Sequence, residues 1–238
     1  MAPRNPMVRL LDPGEEKAAV LTTRQFKDLL LIAGEGFNGI RNKSIIWHSF
    51  GSALRVTEIA KLKVKDVVEV DGEIKELAKL PGSSSKNKKP RLFIQVEDAQ
   101  KAALSDYLNY RIEKQLRVSG KTEYMGLQPN SPLYLAKGQK GFAFNKKRYK
   151  KADGSVEEYM VCSSMQQLIS GMIKRVGAVD GSSHSGRRTF ATRLSDRGIE
   201  DSLIQSLLGH GDPNMTMPYI DANKDRIKKA AGLIYPGL

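Results

Sequence analysis

Four polar residues in the last third of the chain have the types and spacing to act on a phosphodiester: His184, Arg187, His210 and Tyr219. His184 precedes Arg187 by three residues in Ser-His-Ser-Gly-Arg-Arg-Thr-Phe-Ala-Thr, about one helical turn, so imidazole and guanidinium share a side and can reach one anion. Arg187 also stands three residues before Phe190 and four before Ala191, which draws it towards the buried face of its helix. A buried guanidinium needs an anionic partner, and two kinds fit: a bidentate phosphate, or a carboxylate such as Glu58. His210 follows Gly209 at a helix end, where a side chain projects into a site more easily than from a helix centre. Tyr219 lies nine residues further on, in Thr216-Met217-Pro218-Tyr219-Ile220-Asp221. A phenol has an unperturbed pKa of about 10, and concentrated positive charge lowers it towards use as a nucleophile. Taken singly, a tyrosine like this reads as half-buried packing and a lone arginine as a structural ion pair. The third histidine, His48, sits beside Trp47 in an apolar stretch and reads as a packing residue.

Thirty-nine Lys and Arg against twenty-six Asp and Glu give a formal charge of +13, a field that draws polyanions, nucleic acid first among them. Charge alone suggests a partner but no chemistry. The single cysteine, Cys162, cannot form an internal disulfide, and no Cys/His framework for zinc is present. No phosphate-binding glycine loop and no carboxylate cluster for magnesium occur either. The start, MAPRNPMVRLLDPGEE, lacks the apolar core of a signal peptide, and nowhere do 18 apolar residues run together. A reducing, cytoplasmic setting without membrane spans is the expectation.

The elements that would position these residues are mainly helical. Residues 1–20 read as a flexible lead-in. Thr22-Thr23-Arg24-Gln25 predicts a capping box, followed by Phe26, Leu29, Leu30 and Ala33 on one helical face. A second helix through Ile45, Ile46 and Phe50 should end at Gly51-Ser52, and Thr57 is placed to cap a short turn carrying Glu58, Ile59 and Leu62. From Val64 the period falls to two. Val68 and Val70, the dipeptide Asp71-Gly72, Ile74 and Leu77, then Arg91–Val96, predict a small three-stranded antiparallel sheet in the N-terminal third. Its second connection, residues 81–90, is polar and basic, as a loop facing a charged ligand would be. Leu104, Leu108, Ile112 and Leu116 predict a helix over residues 97–117. Residues 137–151 then gather Lys137, Lys140, Lys146, Lys147, Arg148, Lys150 and Lys151 around Phe142, Phe144 and Tyr149. Two readings stand there, a solvated face and a loop laid along a phosphate backbone. The last third reads as helices whose stripes are core, with Gly209 as a C-terminal cap.

The boxes Ser-His-Ser-Gly-Arg-Arg-Thr-Phe-Ala-Thr, Leu207-Leu208-Gly209-His210 and Pro218-Tyr219-Ile220, with Ala53-Leu54-Arg55-Val56-Thr57-Glu58-Ile59 upstream, resemble in order and spacing the signature of the tyrosine recombinase or phage integrase family. The likeness extends over about residues 21–230, and four boxes in the correct order are far more specific than any one. It departs from the family at Ala53, where glycine is usual, and at Arg188, where many relatives have histidine.

This resemblance implies the catalytic-domain fold of that family over residues 21–238, an α+β class with residues 221–238 as a tail; relatives usually carry a separate N-terminal helical DNA-binding domain, and residues 1–20 are too few to form one, so none is expected in this sequence. It implies a site-specific recombinase that cuts and rejoins double-stranded DNA through a 3′-phosphotyrosine, without metal, cofactor or ATP. Tyr219 would be the nucleophile, Arg55 and Arg187 the phosphate clamp, and His184 and His210 the supporting histidines, with Glu58 orienting an arginine. The general acid would be a lysine on the sheet, best matched by Lys86, with Lys88 or Lys89 as alternatives and otherwise as DNA contacts. A monomer off DNA and a homotetramer on synapsed DNA would follow, the tail packing either on its own core or, preferred here, on a neighbouring protomer. A relaxing topoisomerase of the same residue set and a non-catalytic DNA-binding module are the rival readings.

Overall fold

The structure is a computed structural model and describes residues 17–84, 90–150, 154–209, 224–232 and 234–235. Helix α1 (Thr23–Ala33) starts as predicted: the Thr22 hydroxyl accepts from the Gln25 amide at 3.1 Å and the Gln25 side chain accepts from the Thr22 amide at 3.0 Å. Its apolar stripe, Phe26, Leu29 and Ala33, packs on α2 (Gly39–Phe50), which stops at Gly51. Helix α3 (Val56–Lys61) begins two residues earlier than expected. Arg55 is the N-cap and Thr57 lies inside the helix, because Glu58 turns back to accept the Arg55 amide at 2.7 Å. A single turn, α4 (Val64–Val67), follows.

The predicted three-stranded sheet is corrected to two strands. β1 (Leu77–Leu80) pairs antiparallel with β2 (Arg91–Ile94), whereas the Asp71-Gly72 hairpin survives only as a turn, with one bridge between Val68 and Ile74. The one-turn helix α4 consumes the residues that would have lengthened the first strand. After α5 (Asp98–Glu113) comes a second two-stranded sheet, β3 (Asn145–Lys150) and β4 (Val156–Val161), of which β3 falls in the basic segment 137–151 where no strand was expected. The dipeptide Asp153-Gly154 carries the same hairpin signal as Asp71-Gly72, and Gly154 takes a φ of 83°.

Helices α6 (Ser163–Arg175), α7 (Ser185–Asp196), α8 (Asp201–Leu208) and α9 (Lys224–Ala231) complete the element order. Helix α7 lies against α2 so closely that a Cβ at Gly186 would meet the Ser49 hydroxyl at 2.2 Å. His48 is a packing residue as read: fully buried, it meets Tyr134 Oη at 2.6 Å and the Ser44 carbonyl at 3.0 Å through Nδ1, and burial lowers its pKa to about 4. No helix among the described residues is long and apolar enough to cross a membrane. Packing reaches back before Leu21, since Ala18 is buried and its carbonyl accepts from Arg188.

Near the end of the chain, Ile234 and Tyr235 are buried in its own core. The Tyr235 ring lies 4.1 Å from Phe26 and 5.3 Å from Trp47 between centroids, its hydroxyl donates to the Phe50 carbonyl at 2.9 Å, and the Arg193 guanidinium sits 4.7 Å from its ring centroid. In the single chain these two residues thus take the first of the two expected positions, on the chain's own core.

Candidate active site

Glu58 is the hub of the site. It points from the first turn of α3 into the protein, has no exposed surface, and receives two arginines. Arg91, the first residue of β2, donates through Nε to Oε1 at 3.2 Å and through Nη2 to Oε2 at 2.6 Å. Arg55 donates through Nη1 to Oε1 at 3.3 Å. Burial pushes the Glu58 carboxyl up. The charge and hydrogen bonds of Arg91 reverse this, reinforced by the charges of Arg55 and Arg187, and hold it down at about 2. It is an anion at every working pH.

The arginines are held from behind by backbone carbonyls. Arg187 is 1% exposed and donates to the Ala53 carbonyl at 2.7 Å and the Leu208 carbonyl at 3.1 Å; Arg91 reaches Ala53 at 3.3 Å and Leu207 at 2.8 Å. Leu207 and Leu208 end α8, where unpaired carbonyls and the negative end of the helix dipole favour a cation. Gly209 closes that helix with a φ of 77°, as expected, and a Cβ there would lie 2.3 Å from Arg91 Cδ. The boxes around Arg55, Arg187 and Gly209 are thus one structure. Three guanidiniums are gathered around one carboxylate in a low-dielectric wall, an arrangement that favours developing negative charge.

Of the residues singled out from sequence, Arg55, Glu58 and Arg187 come together here. The alternative of Glu58 as the carboxylate near Arg187 is met electrostatically, although the hydrogen bonds given above run from Arg187 to carbonyls. His184 is the exposed N-cap of α7, one turn before Arg187, with its amide donating to Ser182 Oγ at 3.2 Å. Lys137 and Lys140 are exposed around a short turn, and Lys146, Lys147 and Arg148 are exposed on β3. Lys150 lies on the same strand. Lys86, Lys88, Lys89, Lys151, His210 and Tyr219 lie outside the described residues. Arg91 was missed by sequence reasoning. Its signal was present in the five-residue spacing after Lys86 and in its place at the start of a strand that must return to the site, but a strand-initial arginine ordinarily faces solvent.

The phage integrase family model matches residues 19–226. Among curated proteins, tyrosine recombinase XerC of Staphylococcus epidermidis is 24% identical over 230 residues, covering 94% of this chain and 65% of its own length. Tyrosine recombinase XerA of Pyrococcus horikoshii is 25% identical over 210 residues, covering 88% of this chain and 59% of its own. The chain thus spans less than two thirds of the length of these relatives. Among solved structures, the integrase from mycobacterium phage Brujita superposes with a TM-score of 0.57 at 17% identity, covering 98% of this chain and 64% of that one. The XerH site-specific recombinase in its post-cleavage complex with a palindromic difH substrate gives 0.53 at 18% identity, covering 90% and 53%. These likenesses show the fold.

Proposed function

The chain belongs to the phage integrase family, and from that premise we propose that it is a site-specific DNA recombinase that cuts and rejoins double-stranded DNA through a covalent link to Tyr219. The observation that carries this reading is the Glu58 cluster. Its guanidiniums, braced by the Ala53, Leu207 and Leu208 carbonyls, are preorganised for a phosphate. Arg55, with 11% of its side chain exposed, and Arg187 clamp the non-bridging oxygens as charge grows on them.

The Tyr219 phenolic oxygen attacks phosphorus in line, and the bond to the 5′ oxygen breaks. A 3′-phosphotyrosine forms while Lys86, or Lys88 or Lys89 in its place, protonates the departing oxygen. His184 manages the phenolic proton and His210 hydrogen-bonds a phosphate oxygen. One ester replaces another of similar energy, so rejoining by the reverse path requires neither ATP nor metal. Lys137, Lys140, Lys150 and Lys151 contribute contacts to the DNA backbone. The relatives named above are recombinases, which favours strand exchange over relaxation of a single duplex. Work in the cytoplasm, as a monomer that assembles to a tetramer on two synapsed sites, accompanies this reading.

The test is a duplex nicked close to the cleavage point, which releases a short fragment and traps the intermediate. The wild-type chain should give a protein–DNA band stable in denaturant, and Tyr219→Phe should give none. A band that persists in Tyr219→Phe would refute the assignment.

A further inference from the structure

The β3–β4 ribbon has no core of its own. From Asn145 to Arg148 and from Val156 to Met160 every described side chain is exposed, including Val156 at 59%, Tyr159 at 46% and Met160 at 47%. The two strands form a sheet by themselves, so among the described residues neither outer edge has a strand partner. A lone hairpin is marginal in water, and baring three large apolar side chains adds to its cost. Such a ribbon is suited to a partner that covers it.

Charge and position say which partner. The register sets Lys146 opposite Met160 and Arg148 opposite Glu158 on one face, with Lys147 opposite Tyr159 on the other. Across the first face Glu158 pairs with Lys146 and accepts from Arg148 Nε at 2.9 Å. The bond engages Nε alone and leaves the two terminal nitrogens of a side chain that is 76% exposed to face outwards. The base of the ribbon is fixed beside the catalytic cluster. Lys61, the last residue of the helix that Arg55 caps, lies 5.7 Å from the Phe144 ring centroid and donates to the Ser83 carbonyl at 3.0 Å, next to the connection that contains Lys86. On the other side Asn145 donates to Ser163 Oγ at 3.4 Å. The ribbon is therefore rooted at the end of the helix that carries Arg55 and Glu58.

A DNA major groove about 12 Å wide admits a two-stranded ribbon, whose strands lie about 4.8 Å apart. Six residues of strand span about 20 Å, roughly the rise of six base pairs. We propose that the β3–β4 ribbon enters the major groove beside the cleavage point and reads bases there. Arg148 makes the bidentate contact to the O6 and N7 edge of a guanine. Lys146 supports it on the same face, and Glu158 fixes the guanidinium so that it presents its terminal nitrogens. Lys147 on the opposite face meets phosphate, and the apolar Met160 and Tyr159 are covered by the groove walls.

This inference rests on the recombinase reading above, and the test separates the two. The 238-residue chain selects from duplexes randomised on both sides of the cleavage point, and bound sequences are compared for wild type, Arg148→Ala and Arg148→Lys. Wild type should select a guanine at a fixed distance from the cleavage point. Replacing that guanine by 7-deazaguanine, which lacks N7, should weaken wild-type binding about tenfold and leave Arg148→Ala unaffected. Arg148→Lys should recover only part of the preference. Arg148→Ala with the wild-type preference, or with an equal loss on all sequences, would overturn base reading. So would unchanged DNA binding together with loss of concentration-dependent self-association, which would make the ribbon a contact between copies of the chain. If covalent trapping through Tyr219 persists in any of these cases, the recombinase reading stands and the ribbon proposal alone fails. Absence of both trapping and DNA binding in wild type would remove both.

Discussion

At Ala53 the backbone takes a φ of 50°, a left-handed conformation that crowds the Cβ, and it does so at the residue whose carbonyl holds Arg91 and Arg187. The strain is tied to the site, because relaxing this backbone would turn the carbonyl away from two guanidiniums. Ala53→Gly should therefore stabilise the protein by about 1 kcal/mol, read as a higher urea midpoint with an unchanged slope. An unchanged or lower midpoint would show that the turn is not strained. Arg91 makes the opposite case. Removing it leaves Glu58 buried among fewer cations, and the loss of one partner of a buried pair costs about 3–5 kcal/mol. Arg91→Ala should show such a loss in urea unfolding. Arg91→Lys should recover little, because one ammonium cannot bridge Glu58, Ala53 and Leu207 together. If Arg91→Ala unfolds within about 1 kcal/mol of wild type, Glu58 has another way to stay ionised, and the hub described here is wrong.

Between elements, the seat of Tyr235 ties the C-terminus to the start of α5. Glu97, the N-cap of that helix, is 9% exposed, and its Oε1 has no hydrogen-bond partner. Burial and then the charge of Asp98 raise its pKa to about 7, against the pull of Arg197 and of the Tyr235 amide. A carboxyl whose folded pKa exceeds the ordinary 4.5 stabilises the fold most at low pH; that contribution is lost as pH rises from about 4.5 to 7 and stays lost above. His48 works the other way over about 4 to 6.5, so the wild-type curve alone mixes the two. From pH 5 to pH 8 the melting temperature of Glu97→Gln should rise relative to that of wild type, because only wild type loses the contribution of a protonated Glu97, and this difference isolates Glu97 from His48. Parallel curves would mean that Glu97 is ionised throughout. Much at this scale was legible in the sequence: the Thr22 capping box, the helical stripes of α6 to α8, and Gly209 as a cap all follow from local chemistry. The β3–β4 ribbon was not, because β3 is a run of cations and the apolar Val156, Tyr159 and Met160 of β4 do not alternate with period two, so no buried strand face shows in the sequence. Arg91 was hidden for a different reason. Its partners Glu58, Ala53 and Leu207 are 33, 38 and 116 residues away, and only the closed fold brings them near.

For the whole molecule, the formal charge of +13 overstates what DNA can meet on the surface. Arg111 is fully buried and donates to the Pro132, Leu133 and Leu116 carbonyls, and Arg193 is likewise turned inwards to the Leu21 and Ile234 carbonyls. Arg91 serves Glu58. These cations stabilise the fold and release no counterions when a duplex binds. If all thirteen net charges acted on phosphate, the logarithm of affinity would fall with the logarithm of salt at a slope of about −12. The nine lysines and arginines assigned to the DNA surface, Lys88, Lys89, Lys137, Lys140, Lys146, Lys147, Arg148, Lys150 and Lys151, set a ceiling of about −8. Engagement of Lys146 and Arg148 with Glu158 draws it shallower. Titrating a duplex of unrelated sequence between 50 and 300 mM salt, a range on the order of that over which counterion release is read, should give a slope no steeper than that ceiling. Lys147→Ala should reduce it by about 1 and weaken all sequences alike. A slope near −12 would mean that lysines and arginines beyond these nine meet phosphate, and the DNA surface proposed here would be too narrow.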